Sequence, residues 1–380
     1  MPHLFDSFQS RDLTLPNRVV VSPMCQYSSD NGFANDWHLV HLGSRASGGA
    51  GLIVVEATGV TPEGRITPGC LGIYLDAHVE MLSRIVRFSH SQGCPMGIQL
   101  AHAGRKGSTE RPWEGSGGVP PNKGGWQPVG PGNVPFNPSY PVPRALETSE
   151  IPGVVKAFKD ATLRALQAGF DMVELHAAHG YLIASFISPL TNKRTDEYGG
   201  SFENRMRFPI QVIQEVRKYW PAEKPLFLRV SAVDEAGWTV EDSAAVAREL
   251  KKHGVDVIDC SSGGQSDAAT GDHPPSYGYQ VPYARHIRQH ADIKTMAVGL
   301  IIHADQAEEV VRSGSADLVA LGRELLHNPN WPIDAAQKLG VAAPFTNVGQ
   351  SLGYWLEKRA ANRVGIKPST WQNGIGGGAG

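Results

Sequence analysis

The stretch QAGFDMVELHAAH, residues 167–179, carries the plan of the fold in miniature. Gly169 suits the left-handed position that ends a helix, a short apolar run follows, and the run closes on polar residues. The same order recurs in SGGAGLIVVEA (47–57), SQGCPMGIQLAH (91–102), KHGVDVIDCSS (252–262) and SGSADLVALGR (313–323). Near-continuous apolar runs are what strands buried on both faces of a parallel sheet require. VVVSPMC (19–25), PLFLRVS (225–231) and KTMAVG (294–299) bring the strand candidates to eight, the number a closed barrel needs.

Between the strands, the pattern predicts helices over Asp76–Gln92, Ile151–Ala168, Asn204–Tyr219, Val240–His253 and Ala304–Ser313. Thr239 with Asp242 three residues on forms a start signal of the capping-box kind. No GxGxxG follows the first strand, which argues against an open doubly wound sheet. The expected fold class is therefore α/β, a (β/α)8 TIM barrel. It occupies residues 1–367 as a single unit, with a Gly/Pro-rich extension at 104–148 after the third strand and a flexible tail at 368–380. The extension reads either as a functional lid or as surface elaboration.

Composition narrows the function. Of the 380 residues 41% are hydrophobic and 19% charged, enough for a sizeable core. Lys plus Arg number 35 against 37 Asp plus Glu, a formal charge of -2, so no global field draws the chain onto nucleic acid and small-molecule partners are expected. No apolar run approaches the roughly 18 residues of a membrane helix, and the start lacks a basic and apolar leader, so the expected location is cytoplasmic. Cys25, Cys70, Cys94 and Cys260 show no CxxC spacing, which argues against an iron-sulfur cluster or a disulfide framework.

Active sites of (β/α)8 barrels lie at the C-terminal strand ends. Here those ends are polar: Ser22, Pro23, Met24 and Cys25; Glu56 and Ala57; Gln99 and His102; Glu174, His176 and His179; Arg229 and Ser231; Asp259, Ser261 and Ser262; Gly322 and Arg323. Gly299, Gly322 and Arg323 stand where such barrels hold a phosphate, with helix packing and a surface ion pair as the alternative. His176 and His179 can donate two hydrogen bonds to one oxygen, with Tyr181 nearby to deliver a proton. They can equally be a structural pair, or join Glu174 in a 2-His-1-carboxylate metal set that would suit a metal-dependent lyase or hydrolase. Cys25 is either a small buried hydrophobe or a contact of a redox centre.

SPMCQY (22–27), QLAHAGR (99–105), ELHAAHGYLIASFISPLTNKRTDEYGGSFENR (174–205), FLRVS (227–231), DCSSGG (259–264), AVGLI (297–301) and LGRELLHNPNWP (321–332) together resemble the Old Yellow Enzyme family of FMN-dependent ene-reductases, in its xenobiotic-reductase and thermophilic-like branch. The resemblance covers nearly the whole chain. It implies that Ser22, Pro23, Met24, Cys25, Ala57, Gln99 and Arg229 surround the flavin ring and ribityl chain, and that Gly299, Gly322 and Arg323 hold the FMN phosphate. His176 and His179 would bind a carbonyl or nitro oxygen, Tyr181 would donate a proton, and Tyr27 would touch the substrate. Cys25 stands where other branches carry Thr and is linked to tuning the flavin potential. Trp355 or Arg359 would enter a neighbouring protomer's site, unless both are ordinary helix-surface residues.

The resulting expectation is an NAD(P)H-dependent flavin oxidoreductase, an ene-reductase with FMN as cofactor and NADPH or NADH as reductant. Its substrates would be enones, maleimides and nitro compounds, reduced at the C=C bond by a ping-pong mechanism. No resident metal and no nucleic-acid or membrane partner is expected, and the assembly would be a homodimer or a homotetramer built from dimers.

Overall fold

The computed structural model describes residues 1–115, 117–235, 237–267 and 275–361. Eight parallel strands close into a barrel in strict chain order: β1 (Val19–Val21), β2 (Leu52–Gly59), β3 (Met96–Ala101), β4 (Met172–Ala177), β5 (Leu226–Ser231), β6 (Val257–Ser261), β7 (Lys294–Ala297) and β8 (Leu318–Leu321). The register sets Gln99 beside Glu174, His176 beside Arg229, and Arg229 beside Asp259. Lateral partners in a parallel ladder point to one face, and alternate residues along a strand share it, so these side chains are gathered into the barrel lumen.

The expected helices form, with ends moved by a residue or two. They are α2 (Val79–Ser91, led in by a 3-10 turn at Asp76–His78), α3 (Ile151–Ala168), α5 (Phe202–Tyr219), α6 (Val240–Lys251) and α8 (Ala304–Arg312). The Thr239 capping box is present: Asp242 N–H donates to Thr239 Oγ1 at 3.2 Å and Thr239 N–H to Asp242 Oδ2 at 2.9 Å. Further helices were not anticipated: α1 (Asp36–Ser47), α4 (Leu182–Ile187), α7 (Val281–Ala291), α9 (Arg323–His327), α10 (Trp331–Lys338) and α11 (Gln350–Ala361). In α1 the buried face is built from His38, His41, Gly43 and Arg45 as well as Leu42 and Ala46, so hydrophobic periodicity is weak there.

The first strand is shorter than the apolar run VVVSPMC suggested. Its ladder ends at Val21; Ser22 N–H still donates to Leu321 O at 3.0 Å, and Pro23 has no N–H to continue. In β2 the register slips between Val55 and Thr58, a bulge that places Glu56 and Ala57 off the ladder. The N-terminal hairpin Phe8–Ser10/Leu13–Leu15 lies across the lower lumen, where Phe8 and Leu15 join Val20, Leu52, Val54, Met172, Phe227, Val257, Met296 and Leu318 in one buried cluster. A second, larger core fills the space between strands and helices.

The described residues of the 104–148 extension carry local structure despite their Gly/Pro content. They hold 3-10 turns at Gly104–Lys106 and Pro121–Lys123, and Val129–Gly130 pairs in parallel with Arg144–Ala145. Trp126 Nε1–H donates to Glu63 O at 2.9 Å and Arg105 Nη1 to Pro135 O at 2.9 Å, so polar side chains supply the anchoring that a Gly/Pro-rich backbone lacks. The tail at 368–380 lies outside the described residues. Among the described residues no helix is long and apolar enough to cross a membrane, and all four cysteines are free thiols.

Candidate active site

At the C-terminal rim a cavity of about 360 Å³ opens between the ends of β5, β6, β7, β8 and β1. That volume falls within the range of small-molecule sites, about 300–1,000 Å³. Its walls include Ser22, Pro23, Met24, Arg229, Gly299, Gly322 and Arg323, together with Ser261, Tyr279 and Gln280, which the sequence did not single out as cofactor contacts. Cys25, Ala57 and Gln99 do not line it. Cys25 and Ala57 sit at the neighbouring strand ends in hydrogen-bond contact with each other, and Gln99 Nε2 donates to Glu174 Oε1 at 2.7 Å inside the lumen.

The cavity wall fits an anionic, hydrogen-bonding ligand such as FMN. Gly299 has φ 112°, and a Cβ there would meet Gln280 Nε2 at 2.6 Å, so the backbone comes closer than any side chain would allow. The Arg323 guanidinium makes no hydrogen bond or ion pair with the described residues and faces this space. Arg229 is anchored on one side only: Nη1 donates to Ser22 Oγ at 3.2 Å, whereas Nε lies 3.2 Å from Asp259 Oδ2 without the alignment of a hydrogen bond. Asp259 and Glu174 are both fully buried, and burial pushes both carboxyl groups upward, Glu174 to about 8 with the charge of Asp259 adding to the effect. Arg229 Nε, buried at the cavity wall without a hydrogen-bond partner, marks where a ligand completes the network.

The two imidazoles meet beside this cavity. His179 Nδ1 lies 3.4 Å from His176 Nε2, with ring centroids 5.1 Å apart. Burial first, then nearby positive charge, pushes both well below the ordinary histidine range, so both are neutral near pH 7. Tyr181 stacks edge-on against His176 at 4.7 Å, and burial keeps its phenol protonated. His179 itself has φ 59°, a left-handed backbone uncommon outside glycine, and Tyr27 (51°) and Leu300 (48°) on the same rim share it.

Glu174 is not gathered into a metal set with the histidines. It turns to Gln99, and among the described residues no group of three or more His, Cys, Asp or Glu is arranged to hold an ion. Cys25 is half-buried, its thiol raised well above its ordinary value by desolvation and hydrogen-bonded with Tyr27. The β2 bulge aims Glu56 at this loop, where it accepts from Gln26 N–H at 3.1 Å and faces His38 at 3.6 Å. Trp355 and Arg359 are exposed on α11, which packs through Leu356 and Ala360 on Ile333, Phe345 and Val348; within this chain they are not brought to the histidines.

Lys106 was missed by sequence reasoning, although it directly follows the QLAHAGR motif. Its Nζ donates to His179 O at 2.9 Å and to Gly264 O at 3.2 Å and lies 4.0 Å from the Phe136 ring centroid and 5.3 Å from that of Tyr181. One ammonium thus ties the loops after β3, β4 and β6 to the 104–148 extension. Burial pushes it down to about 8.

Comparison with known proteins agrees with this geometry. Residues 3–341 match the model of the NADH:flavin oxidoreductase / NADH oxidase family. The chain is 49% identical over 342 residues to an NADPH dehydrogenase of Geobacillus thermodenitrificans (strain NG80-2), covering 89% of this chain and 95% of that one. It is 47% identical over 341 residues to an NADPH dehydrogenase of Bacillus cytotoxicus, covering 89% and 93%. Among solved structures, morphinone reductase in complex with tetrahydroNAD superposes with a TM-score of 0.75 at 30% identity, covering 89% of this chain and 91% of that one. The chain belongs to the NADH:flavin oxidoreductase / NADH oxidase family, the Old Yellow Enzymes, and is an NAD(P)H-dependent flavin oxidoreductase with FMN as its cofactor.

Proposed function

We propose that the enzyme is an ene-reductase that reduces the C=C bond of α,β-unsaturated carbonyl and nitro compounds, enones and maleimides among them, in a ping-pong sequence. The observation that carries this reading is the pair of neutral imidazole nitrogens 3.4 Å apart, beside the rim cavity and under a protonated phenol. Bound FMN supplies the hydride relay between nicotinamide and the electron-poor double bond. Arg229, Gly299, Gly322 and Arg323 would hold it on one side, and Ser22, Pro23, Met24, Cys25, Ala57 and Gln99 on the other.

A carbonyl or nitro oxygen set between His176 and His179 accepts from both, and charge that develops on it is met by fixed donors. Tyr181 keeps its proton through burial and delivers it to the carbon next to the activating group. Tyr27, hydrogen-bonded to Cys25 and 5.8 Å from the Trp113 ring, would contact the substrate. In a homodimer, or a homotetramer built from dimers, Trp355 or Arg359 of one copy would reach the site of the next; Trp355 is 68% exposed.

The test is a visible spectrum of the purified enzyme followed by anaerobic addition of NADPH and then of 2-cyclohexenone. Bleaching of the flavin band and its recovery on enone addition are expected. In the double variant His176→Ala/His179→Ala the cofactor should remain bound while recovery slows by on the order of a hundredfold or more. Recovery at the original rate would overturn the role of the pair.

A further inference from the structure

Neutral imidazole carries one proton, so two histidines grip one oxygen only if each has its proton on the nitrogen facing it. For His176 the backbone decides. Ala178 N–H donates to His176 Nδ1 at 3.2 Å, which makes Nδ1 an acceptor and leaves the proton on Nε2, the atom that faces His179.

For His179 the facing atom is Nδ1, and its protonation requires that Nε2 accept a hydrogen bond from elsewhere. The partner of Nε2 is the hydroxyl of Ser261, 2.7 Å away at the end of β6. A hydroxyl can donate or accept, so its direction depends on what else is offered. Gln280 Oε1 lies 3.4 Å from Ser261 Oγ but 2.7 Å from Ser262 Oγ. Gln280 Nε2 donates to Val298 O at 3.2 Å, which keeps the amide oxygen turned toward the two serines. Two acceptors are thus open to the Ser261 proton, Gln280 Oε1 at 3.4 Å, already served by Ser262, and His179 Nε2 at 2.7 Å, and the much shorter distance selects His179.

We propose that Ser261 is a positioning residue: its hydroxyl donates to His179 Nε2 and so places the single His179 proton on Nδ1, converging with that of His176 on one substrate oxygen. No bond is broken and both rings stay neutral; the serine selects a tautomer. With no oxygen between the rings, the reverse order is available, His176 Nε2–H donating to His179 Nδ1 and His179 Nε2–H donating to Ser261. Ligand binding then coincides with a change of tautomer at His179 alone. The inference rests on the oxygen-binding reading of the pair given above.

The test uses the oxidised FMN-loaded enzyme with 15N-labelled histidine and 4-chlorophenol, whose oxygen accepts two hydrogen bonds without being turned over. Long-range 1H–15N correlation reads which ring nitrogen carries the proton. In the wild-type complex His179 should be protonated on Nδ1 and His176 on Nε2. In Ser261→Ala, His179 should revert to Nε2–H, phenol affinity should fall on the order of tenfold to a hundredfold, and Ser261→Thr should restore both. A His179 that stays Nδ1–H in Ser261→Ala with unchanged affinity, or a Ser261→Thr that restores neither, overturns the proposal. Unchanged phenol affinity in His176→Ala/His179→Ala defeats the oxygen-binding reading itself and this proposal with it. Weakened binding there, alongside an unchanged His179 tautomer in Ser261→Ala, defeats the proposal alone.

Discussion

The two ends of the barrel lumen are built by the same strands on opposite principles. On β4 the inward residues run Met172, Glu174, His176; on β5, Phe227, Arg229, Ser231; on β6, Val257, Asp259, Ser261. One step of two residues along each strand passes from a sealed apolar plug to a polar rim. The plug consists of side chains that the hairpin at Phe8–Leu15 closes from below. In the rim, by contrast, Arg229 Nε, both Asp259 oxygens and Glu174 Oε2 are buried without hydrogen-bond partners. The bottom is sealed by apolar packing, whereas the top leaves buried polar groups unpaired where a ligand can complete them.

The sharpest way to break this contrast is at Phe227, fully buried in the plug and two residues below Arg229 on one face. Phe227→Ala should lower unfolding stability by about 3–5 kcal/mol. The flavin-to-protein ratio and the turnover of the folded fraction should stay unchanged. A loss of cofactor without a fall in denaturation midpoint would show that the two ends are not separable.

The next effect belongs to the rim and depends on pH. Burial raises Glu174 to about 8 in the folded enzyme, above the roughly 4.3 of an unfolded glutamate. Between those values the folded state holds a proton that the unfolded chain has released. Stability should therefore decline as pH rises through about 4 to 8, at up to about 1.36 kcal/mol per pH unit for one proton, and level off outside that window. Glu174→Gln should flatten the decline and leave the variant relatively more stable at pH 8, measured by urea midpoints from pH 5 to 8. Parallel curves for the two proteins would place the proton elsewhere.

How much of this was legible beforehand differs between the same two ends. The apolar runs and the glycines that end helices are local signals, so strands and several helices could be read from them. His176, His179, Arg229 and the Gly299–Gly322–Arg323 set were legible because they fall at strand ends. What escaped depends on contacts distant in sequence. The hairpin has only three residues per strand and a turn through Arg11 at φ 52°. Helix α1 buries histidines and an arginine, whose Nε donates to Leu325 O at 3.1 Å some 280 residues away. Lys106 and Ser261 make contacts set by neighbours from other loops, and no spacing rule encodes those contacts.

A smaller effect sharpens the cofactor side. Gly299→Ala forces a Cβ against Gln280 Nε2 and holds a non-glycine residue at φ 112°. Strain of this kind costs about 1–3 kcal/mol. If the cavity is the FMN site, the cost should appear as weaker FMN retention, about five- to a hundredfold, with stability of the cofactor-free protein falling by less. An equal loss with and without cofactor would make Gly299 a folding glycine only.

The smallest effect concerns the 104–148 extension, which belongs to neither end of the strands. Trp126 ties it to the loop after β2 by one N–H bond to Glu63 O, and its ring also lies 5.3 Å from the Arg65 guanidinium. Trp126→Phe keeps an aromatic ring and removes only the hydrogen bond, worth about 1 kcal/mol net. Backbone amides near residue 126 should then exchange about fivefold faster. If the extension shapes the substrate pocket from above the histidines, as Lys106 against Phe136 suggests, KM for cyclohexenone should rise a few-fold while kcat and FMN affinity hold. Faster exchange with an unchanged KM would separate the extension from the site and leave the proposed chemistry to the rim alone, to its histidines, tyrosine and arginine.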